Sequence, residues 1–223
     1  MKVLAPRSCR APHFVTLWRV SPNLVKRSRR QEILDIAVEL FAARGYHGVS
    51  MDDIGARANI TGPALYHHFK GGKESMLVEA LTPVSERLLA GGREHARQHA
   101  HDPRAAVRAL VVFHVEFALA SPAVIAVQLH ELDRMPAEPR RQIRRLQRAY
   151  VEEWVGVLMK LRSSLSVDAA RVLAHAAFGL MNSTPYLGSE TVTSREEIAA
   201  LLTESALSAL DPGHNSISKL NDR

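Results

Sequence analysis

Four hydrogen-bond donors lie close together in one short segment, at Tyr66, His67, His68 and Lys70. Ala64 precedes them and is small enough to let another molecule approach closely. Donors of this kind, presented by one helix, suit contacts with the phosphates and base edges of DNA. Leu65 and Phe69 are four residues apart, so we expect both to face inward from that helix. A packing role for Tyr66 is the alternative that this segment alone leaves open.

Two short helices joined by a tight turn must position these donors. Ser50 is placed to cap the first helix, and Asp53 is the matching capping-box residue three positions later. Thr61 is placed to cap the second helix, and Pro63 falls in its first turn, where a missing N–H costs little. The pattern predicts a helix-turn-helix, the element whose second helix enters the major groove of DNA.

The net positive charge of the chain lies in its first third. The chain has 29 Lys and Arg against 23 Asp and Glu, for a formal net charge of +6. Residues 1–75 hold 12 basic and 6 acidic side chains, whereas the remainder holds 17 of each. Residues 1–30 hold eight basic side chains, Arg27 and Arg29 among them, and no acidic one. This distribution predicts a basic arm, disordered in the free protein, that contacts phosphates, and it favours DNA binding over simple packing for Tyr66.

The rest of the chain has helical periodicity and shows no alternating strand pattern. We predict an all-α protein of about nine helices. Four regions are expected: a basic arm (1–27), a helix-turn-helix domain (28–75), a domain for ligand binding and dimerisation (76–211) and a disordered tail (212–223). Within the second domain we expect a helix that starts at Lys73, with a kink at Pro83 and a weak point at Gly91–Gly92, and a helix over 167–186.

Several other functions lack the residues that they need. Cys9 is the only cysteine, which excludes an intrachain disulfide and a thiolate metal cluster. His95 and His99 have metal-ligand spacing but no third ligand nearby, so we predict neither a metal site nor a cofactor. There is no glycine-rich phosphate loop and no nucleophile elbow, so we predict no enzyme activity. No apolar run approaches the roughly 20 residues that span a bilayer, which leads us to expect a cytoplasmic protein without membrane contact.

Residues 28–75 resemble the tetracycline-repressor (TetR) family. The matching motifs are Ile33–Leu34–x–x–Ala37–x–x–Leu40–Phe41–x–x–x–Gly45–Tyr46, Ser50–Met51–x–x–Ile54–Gly55, Ile60–Thr61–x–x–x–Leu65–Tyr66–x–His68–Phe69 and Lys73–Glu74. The resemblance implies an Ω-shaped homodimer that binds a palindromic operator. It also implies a pocket in each second domain for a small-molecule effector, which we expect to be largely apolar. Effector binding would move the two DNA-binding heads apart and release the operator.

The resemblance also implies roles for single residues. Tyr66 and His67 would contact phosphates and base edges, Thr61 and Lys73 would contact phosphates, and the residues from Gly62 to Ala64 would face the groove. Lys73 also lies at a predicted helix N-terminus, where a cation is disfavoured unless an anion such as a phosphate binds or Glu74 offsets it. The predicted DNA contacts are therefore Arg27, Arg29, Ser50, Thr61, Gly62, Pro63, Ala64, Tyr66, His67, His68 and Lys73.

Polar and aromatic residues on apolar helices of the second domain are the candidate ligand contacts: His114, Phe117, Gln128, Tyr150, Trp154, Phe178, Asn182 and Tyr186. His114 is expected to point inward, either as a hydrogen-bonded core residue or as a ligand contact. Asn182 is four residues from both Phe178 and Tyr186, so we expect all three on one helix face. That face would form either the polar end of a pocket or a hydrogen-bonded part of the dimer interface.

Two further patterns concern partners. Four arginines, Arg141, Arg144, Arg145 and Arg148, share one helix face, which is either a solvated surface or a seat for a phosphorylated ligand such as a coenzyme A thioester. Small residues over 167–186 allow close helix approach, and we place Ala177 at the seam of a homodimer built from the last two helices, with Ala174 or Ala170 there if the register differs. The sequence favours a ligand-responsive repressor. A ligand-independent dimeric DNA-binding protein is the alternative.

Overall fold

The computed structural model describes residues 28–187, 193–211 and 213, and this part of the chain is helical with no strand. The nine α-helices of the described residues are α1 (Arg29–Arg44), α2 (Met51–Ala58), α3 (Gly62–His68), α4 (Gly72–Gln98), α5 (Pro103–Ala120), α6 (Pro122–His130), α7 (Ala137–Leu161), α8 (Val167–Met181) and α9 (Arg195–Leu210). Short 3-10 turns follow α6 and α8, at Leu132–Arg134 and Thr184–Tyr186. The predicted all-α class is confirmed, whereas the predicted arm (1–27) and nearly all of the predicted tail lie outside the described residues.

Side-chain caps begin several helices, and the capping box predicted at Ser50 is present. Ser50 and Asp53 form the full capping box of α2, and Ser194 and Glu197 form the same box at α9. The Ser50 hydroxyl and backbone hold the pKa of the Asp53 carboxyl below its usual value. Ser28 accepts a hydrogen bond from the backbone of Gln31, but the Gln31 amide turns to Asp35 instead of closing a box. These local bonds fix the starts of the helices independently of distant residues.

Two hydrophobic cores share one helix. Residues of α1 to α4 form the first core, in which Ile33, Phe41, Ile54, Leu65 and Phe69 are almost completely buried. The second core is formed by α4, α5, α7, α8 and α9 with part of α6. α4 supplies buried residues to both cores, and α6 and α7 each extend one buried side chain, Val127 and Ile143, into the first. The helix-turn-helix domain, formed by α1 to α3 and the start of α4, is therefore packed directly against helices of the second domain.

The expected weak point at Gly91–Gly92 is wrong. α4 is continuous from Gly72 to Gln98 and passes through Pro83 and both glycines. A Cβ atom at Gly91 would lie 2.1 Å from the ring of Phe113, and one at Gly92 would lie 2.4 Å from the ring of Tyr150. The absence of a side chain at the two glycines therefore allows the Phe113 and Tyr150 rings to pack directly against the helix, and the glycines do not interrupt the helix.

The expected helix over 167–186 ends five residues early, at Met181. Pro185 explains the end, because proline has no N–H and its ring clashes with the carbonyl four residues earlier. The Thr184 hydroxyl donates to the Ala118 carbonyl over 2.9 Å and holds the chain in a 3-10 turn. Asn182 and Tyr186 consequently do not share a helix face, which corrects that expectation.

No single helix among the described residues has the length and apolar character needed to cross a membrane. The pair α5 and α6 meets the criterion only when taken together, and the two helices are bent by 92° at their junction.

Candidate nucleic-acid interface and buried polar cluster

One surface of the helix-turn-helix domain presents the predicted recognition residues to solvent. Leu65 and Phe69 of α3 are buried against the first core, as expected from their spacing. The opposite side of the helix is exposed, and the side chain of Tyr66 is 51% accessible. Pro63, Ala64 and His67 are exposed as well, while Gly62 and His68 are half-buried. The helix thus offers donors and small residues on the side away from its own core.

Thr61 occupies the predicted N-cap position of α3 with an extended backbone, but its side chain makes no capping hydrogen bond. The capping interaction predicted for this residue is therefore wrong, although the start of the helix is correct. The residue is exposed beside the N-terminus of α3. Its hydroxyl remains accessible to a group that approaches from solvent, such as a phosphate.

Lys73 is engaged by the protein itself. Its ammonium donates to the backbone carbonyls of Tyr46, at 2.7 Å, and of Val49, and it lies 4.4 Å from the centroid of the Tyr46 ring. These contacts attach the start of α4 to the loop between α1 and α2. Carbonyl oxygens and a π-face already stabilise the cation, so the helix N-terminus does not require a phosphate, or an offset by Glu74, to accommodate Lys73. Phosphate contact by Lys73 stays a prediction of the resemblance alone.

The arginines at the start of α1 also form internal contacts. Arg29 pairs with Glu32 over 2.9 Å and donates to the carbonyl of Ala58 at the end of α2. Arg27, the other arm residue predicted to contact DNA, lies outside the described residues.

Arg30 belongs to the basic stretch over residues 1–30, and the structure gives it a packing role that the charge distribution does not indicate. It binds Glu79 of α4, donates to the carbonyl of His68 and lies 4.2 Å from the centroid of the Phe69 ring. The helical spacing contains a signal for this role, because Arg30 precedes Ile33 and Ala37 on the buried stripe of α1.

Six of the eight predicted ligand residues meet in one buried cluster of the second domain. The His114 ring is the centre of this cluster and has ring contacts with Phe117, Tyr150, Trp154 and Phe178 at centroid distances of 4.9–6.2 Å. Asn182 completes the cluster through its side-chain oxygen, 3.0 Å from Nε2 of His114. The prediction that His114 points inward is confirmed, since the residue is buried.

The polar atoms of the cluster have defined roles. Asn182 presents an acceptor oxygen, so the proton of the neutral His114 ring lies on Nε2, and Nδ1 accepts from the Tyr150 hydroxyl over 3.2 Å. Burial lowers the pKa of His114 to about 4 and raises the pKa of Tyr150. The Trp154 indole N–H is buried and faces the Tyr150 hydroxyl without forming a hydrogen bond of good geometry. The cluster is thus uncharged at neutral pH and contains one donor that lacks a well-formed hydrogen bond.

The other two predicted ligand residues lie elsewhere. Gln128 contacts the Ser85 hydroxyl at 3.4 Å and joins α6 to α4. Tyr186 is 69% exposed, and its hydroxyl lies 3.3 Å from His130 at the end of α6. The early end of α8 turns Tyr186 away from the cluster, which explains why spacing alone misplaced it.

The arginine-rich face of α7 is exposed and largely paired. Arg144 binds Asp133 over 2.5 Å, and Arg141 and Arg145 both lie within 3.5 Å of Glu138. These pairs favour the solvated-surface interpretation over a seat for a phosphorylated ligand, because three of the four arginines already form surface ion pairs with Asp133 or Glu138. Among the described residues there is also no group of three side chains that could hold a metal ion.

The expected position of Ala177 at a dimer seam is wrong. Ala170, Ala174 and Ala177 are completely buried within the single chain, against their own domain. The exposed face of α8 is a different one, with Val172 68% accessible and the exposed residues Ala176, Gly179 and Leu180 beside it. On α9 the exposed apolar residue is Leu201, at 59%.

Comparison with known proteins gives a consistent result over most of the chain. Residues 33–80 match the family described as bacterial regulatory proteins, tetR family, and residues 100–210 match the tetracyclin repressor-like C-terminal domain. The transcriptional repressor KstR2 of Rhodococcus jostii is 36% identical over 152 residues, which are 65% of this chain and 74% of the relative.

Solved structures show the same fold. The ketosteroid transcriptional regulator KstR2 of Mycobacterium tuberculosis superposes with a TM-score of 0.70 at 25% identity, covering 81% of this chain and 94% of that one. The regulator AibR, solved with isovaleryl coenzyme A and operator DNA, superposes with a TM-score of 0.62 at 22% identity, covering 79% and 97%.

Proposed function

Because the chain belongs to the TetR family of helix-turn-helix transcription regulators, we propose that it is a ligand-responsive repressor that binds a palindromic operator as a homodimer. A small-molecule effector in the second domain would release the operator. The protein would act where the chromosome is, in the cytoplasm, and as a regulator rather than an enzyme.

The exposed side of α3 is the observation that best supports operator binding. Leu65 and Phe69 anchor the helix, so Tyr66 and His67 are held on a fixed support and face outward. A preformed helix with exposed donors is what a major groove accepts. The excess of basic over acidic side chains in the first 75 residues adds attraction that does not depend on DNA sequence.

The exposed apolar face formed by Val172, Leu180 and Leu201 supports the homodimer. Large aliphatic side chains on two neighbouring helices are costly to leave in water and suit a self-complementary interface. Exposed Ala176 and Gly179 lie on the same part of α8 and would allow a partner helix to approach closely. Two DNA-binding heads related by a two-fold axis would then match two half-sites about 34–36 Å apart, or a multiple of that distance.

The buried polar cluster supports an effector that is mostly apolar and uncharged where it is enclosed. The surrounding rings offer contacts to an apolar group, and the neutral His114 offers no charge to pair with a buried carboxylate. The Trp154 N–H, which lacks a well-formed hydrogen bond, would donate to a carbonyl or hydroxyl oxygen of the effector. A coenzyme A thioester is the alternative, with its phosphates on the arginine face of α7, and the surface ion pairs of that face disfavour it.

The first experiment measures binding to the palindromic duplex that the wild-type protein selects from a randomised pool. Tyr66→Ala should weaken this binding by about 30-fold or more, since a lost contact costs about 1–3 kcal/mol in each of two subunits. Tyr186→Ala is the matched control, because it removes an exposed tyrosine from the other domain and should leave affinity unchanged.

Three results would contradict operator binding by α3 in a dimer. One is a Tyr66→Ala protein that binds as tightly as the wild type. Another is a Tyr66→Ala protein that loses its helical circular dichroism, which would show that Tyr66 packs rather than recognises DNA. The third is equally tight binding to an isolated half-site and to the full palindrome.

The second experiment separates a ligand-responsive repressor from a ligand-independent DNA-binding protein. Small molecules that co-purify with the wild-type protein are extracted, identified by mass spectrometry and added back to the operator complex. The effector site is supported if such a molecule releases DNA and if the Trp154→Phe protein needs at least a tenfold higher concentration of it. If the Trp154→Phe protein releases DNA at the same concentration of the molecule as the wild type, the indole N–H does not contact the effector.

A further inference from the structure

Arg30 connects the start of α1 to the C-terminal end of α3 and to α4. Two of its guanidinium nitrogens contact both carboxylate oxygens of Glu79, at 2.6–3.0 Å. Another nitrogen donates to the carbonyl of His68, the last residue of α3, and the guanidinium carbon lies 4.2 Å from the centroid of the Phe69 ring. We call Arg30, Glu79, the His68 carbonyl and the Phe69 ring the Arg30 clamp.

We propose that Arg30 is a positioning residue for DNA recognition, which fixes the C-terminal end of α3 against α4 without touching DNA. The proposal rests on the operator binding proposed above. α3 has only seven residues and no side-chain cap at Thr61, so its own hydrogen bonds hold it weakly. The last carbonyls of a helix lack partners within it, and a cation there is favourable. Arg30 supplies both the donor and the charge.

The pairing with Glu79 separates this role from a phosphate contact. An arginine that binds a carboxylate through two nitrogens has its charge offset and its donors engaged. Replacing Arg30 should therefore change the affinity for the operator without changing the number of counterions that are released when the protein binds DNA. Arginines in contact with phosphates behave differently, because each lost contact reduces the dependence of binding on salt.

Glu79 also connects the clamp to the rest of the molecule. It lies on α4 between Met76 and Leu77, which are buried in the first core, and Val84, which is buried in the second. A displacement of this part of α4 would move the carboxylate, and with it the guanidinium that binds the end of α3. The clamp is therefore a direct chemical connection between the position of α4 and the orientation of the recognition helix.

The test uses the full-length protein with two probes: the selected palindrome and a scrambled duplex of equal length and composition. Arg30→Met should weaken binding to the palindrome about tenfold, within the range found for coupled contacts, and change binding to the scrambled duplex less than twofold. The slope of log K against log salt should stay unchanged. Glu79→Gln is the decisive partner variant, because it makes the head more positive. Charge alone predicts tighter binding to every duplex, whereas the clamp predicts weaker binding to the palindrome.

The double variant Arg30→Met, Glu79→Gln should cost clearly less than the sum of the two single changes, because both remove the same contact. The proposal is overturned if Glu79→Gln binds the palindrome as tightly as the wild type or more tightly. It is also overturned if Arg30→Met weakens both duplexes alike and lowers the salt slope by about two, one phosphate for each subunit.

Folding is checked by circular dichroism well below the unfolding temperature. If Arg30→Met does not fold, Arg30→Lys takes its place, since lysine keeps the charge but cannot bind Glu79 and the His68 carbonyl in the same geometry. Arg30→Lys should show the same selective loss, and wild-type affinity for the palindrome would overturn the proposal. A wild-type protein that prefers no duplex would instead contradict operator binding itself.

Discussion

Replacing Gly91 with alanine should destabilise this protein, although alanine is the better helix former. In an exposed helix the change would gain about 1 kcal/mol. At Gly91 the new Cβ atom would lie 2.1 Å from Cζ of Phe113, and two more ring atoms would lie within 2.9 Å. Carbon atoms prefer separations of about 3.5–4.0 Å, so the ring would have to withdraw by roughly 1.5 Å.

Phe113 has little room for such a movement. Its ring is buried and packs against His95 at a centroid distance of 5.0 Å. Overpacking of this kind costs about 1–3 kcal/mol, and more where backbone must shift. After subtraction of the helix-forming gain of about 1 kcal/mol we expect a net loss of up to about 2 kcal/mol. For a chain of this size such a loss lowers the Tm by up to about 8 °C.

Gly156→Ala is the matched control. Gly156 lies inside α7, is exposed, and has no atom within 4 Å of the position that a Cβ would take. This change should raise the Tm by about 1–4 °C, because only the helix-forming gain applies. Thermal unfolding is followed by circular dichroism at one protein concentration, since association of subunits shifts the Tm. Equal increases for both variants would refute the close packing of α4 against α5 at this point.

Three further predictions concern the cluster, the lysine and the dimer face. Burial lowers the pKa of His114 to about 4, so between pH 6.5 and 4 the unfolded state binds more protons than the folded state does. The free energy of unfolding, measured in urea, should therefore fall by up to about 3 kcal/mol as the pH falls from 6.5 to 4. His114→Gln should make the free energy of unfolding less dependent on pH over this range. Lys73→Met should lower the free energy of unfolding by about 1.5–3 kcal/mol through its lost carbonyl contacts; an unchanged stability with a reduced salt slope of DNA binding would instead support phosphate contact. Leu201→Glu should give folded monomers in sedimentation experiments, whereas Ala177→Glu should not fold, because that residue is completely buried in its own subunit; a folded monomer from Ala177→Glu would restore it to the interface.

Features that depend on a few neighbouring residues were predictable from the sequence. The capping boxes at Ser50 and Ser194 and the inward pair Leu65 and Phe69 all follow from spacings of three or four residues. The inward direction of His114 follows from the same periodicity. In each case the determining interaction lies within one helix or one turn, so no knowledge of distant packing is required.

Features that depend on distant contacts were not predictable. The partners of Lys73 lie 27 and 24 residues away, and Glu79 is 49 residues from Arg30. Spacing along α1 indicates that Arg30 faces inward, but it does not identify Glu79 as the partner of Arg30 or the two carbonyls as the partners of Lys73. The face of α8 that packs against its own domain could not be distinguished from the face that is exposed, because both contain small residues. The end of α8 at Met181 is, by contrast, a local feature, because Pro185 excludes helical geometry from the turn that precedes it.

The sharing of α4 between two cores has a consequence for how such proteins can change in length and exchange parts. Met76, Leu77 and Leu81 face the first core, and Val84, Leu88 and Leu89 face the second, on one uninterrupted helix. Inserting one residue between these groups would rotate one core against the other by about 100° and move it by about 1.5 Å. Val127 of α6 would at the same time be withdrawn from the first core. We therefore expect natural selection to eliminate single-residue insertions or deletions within this stretch of α4. A hybrid that joins this DNA-binding head to another effector domain would have to keep the helical phase of α4 and the matching contact from α6.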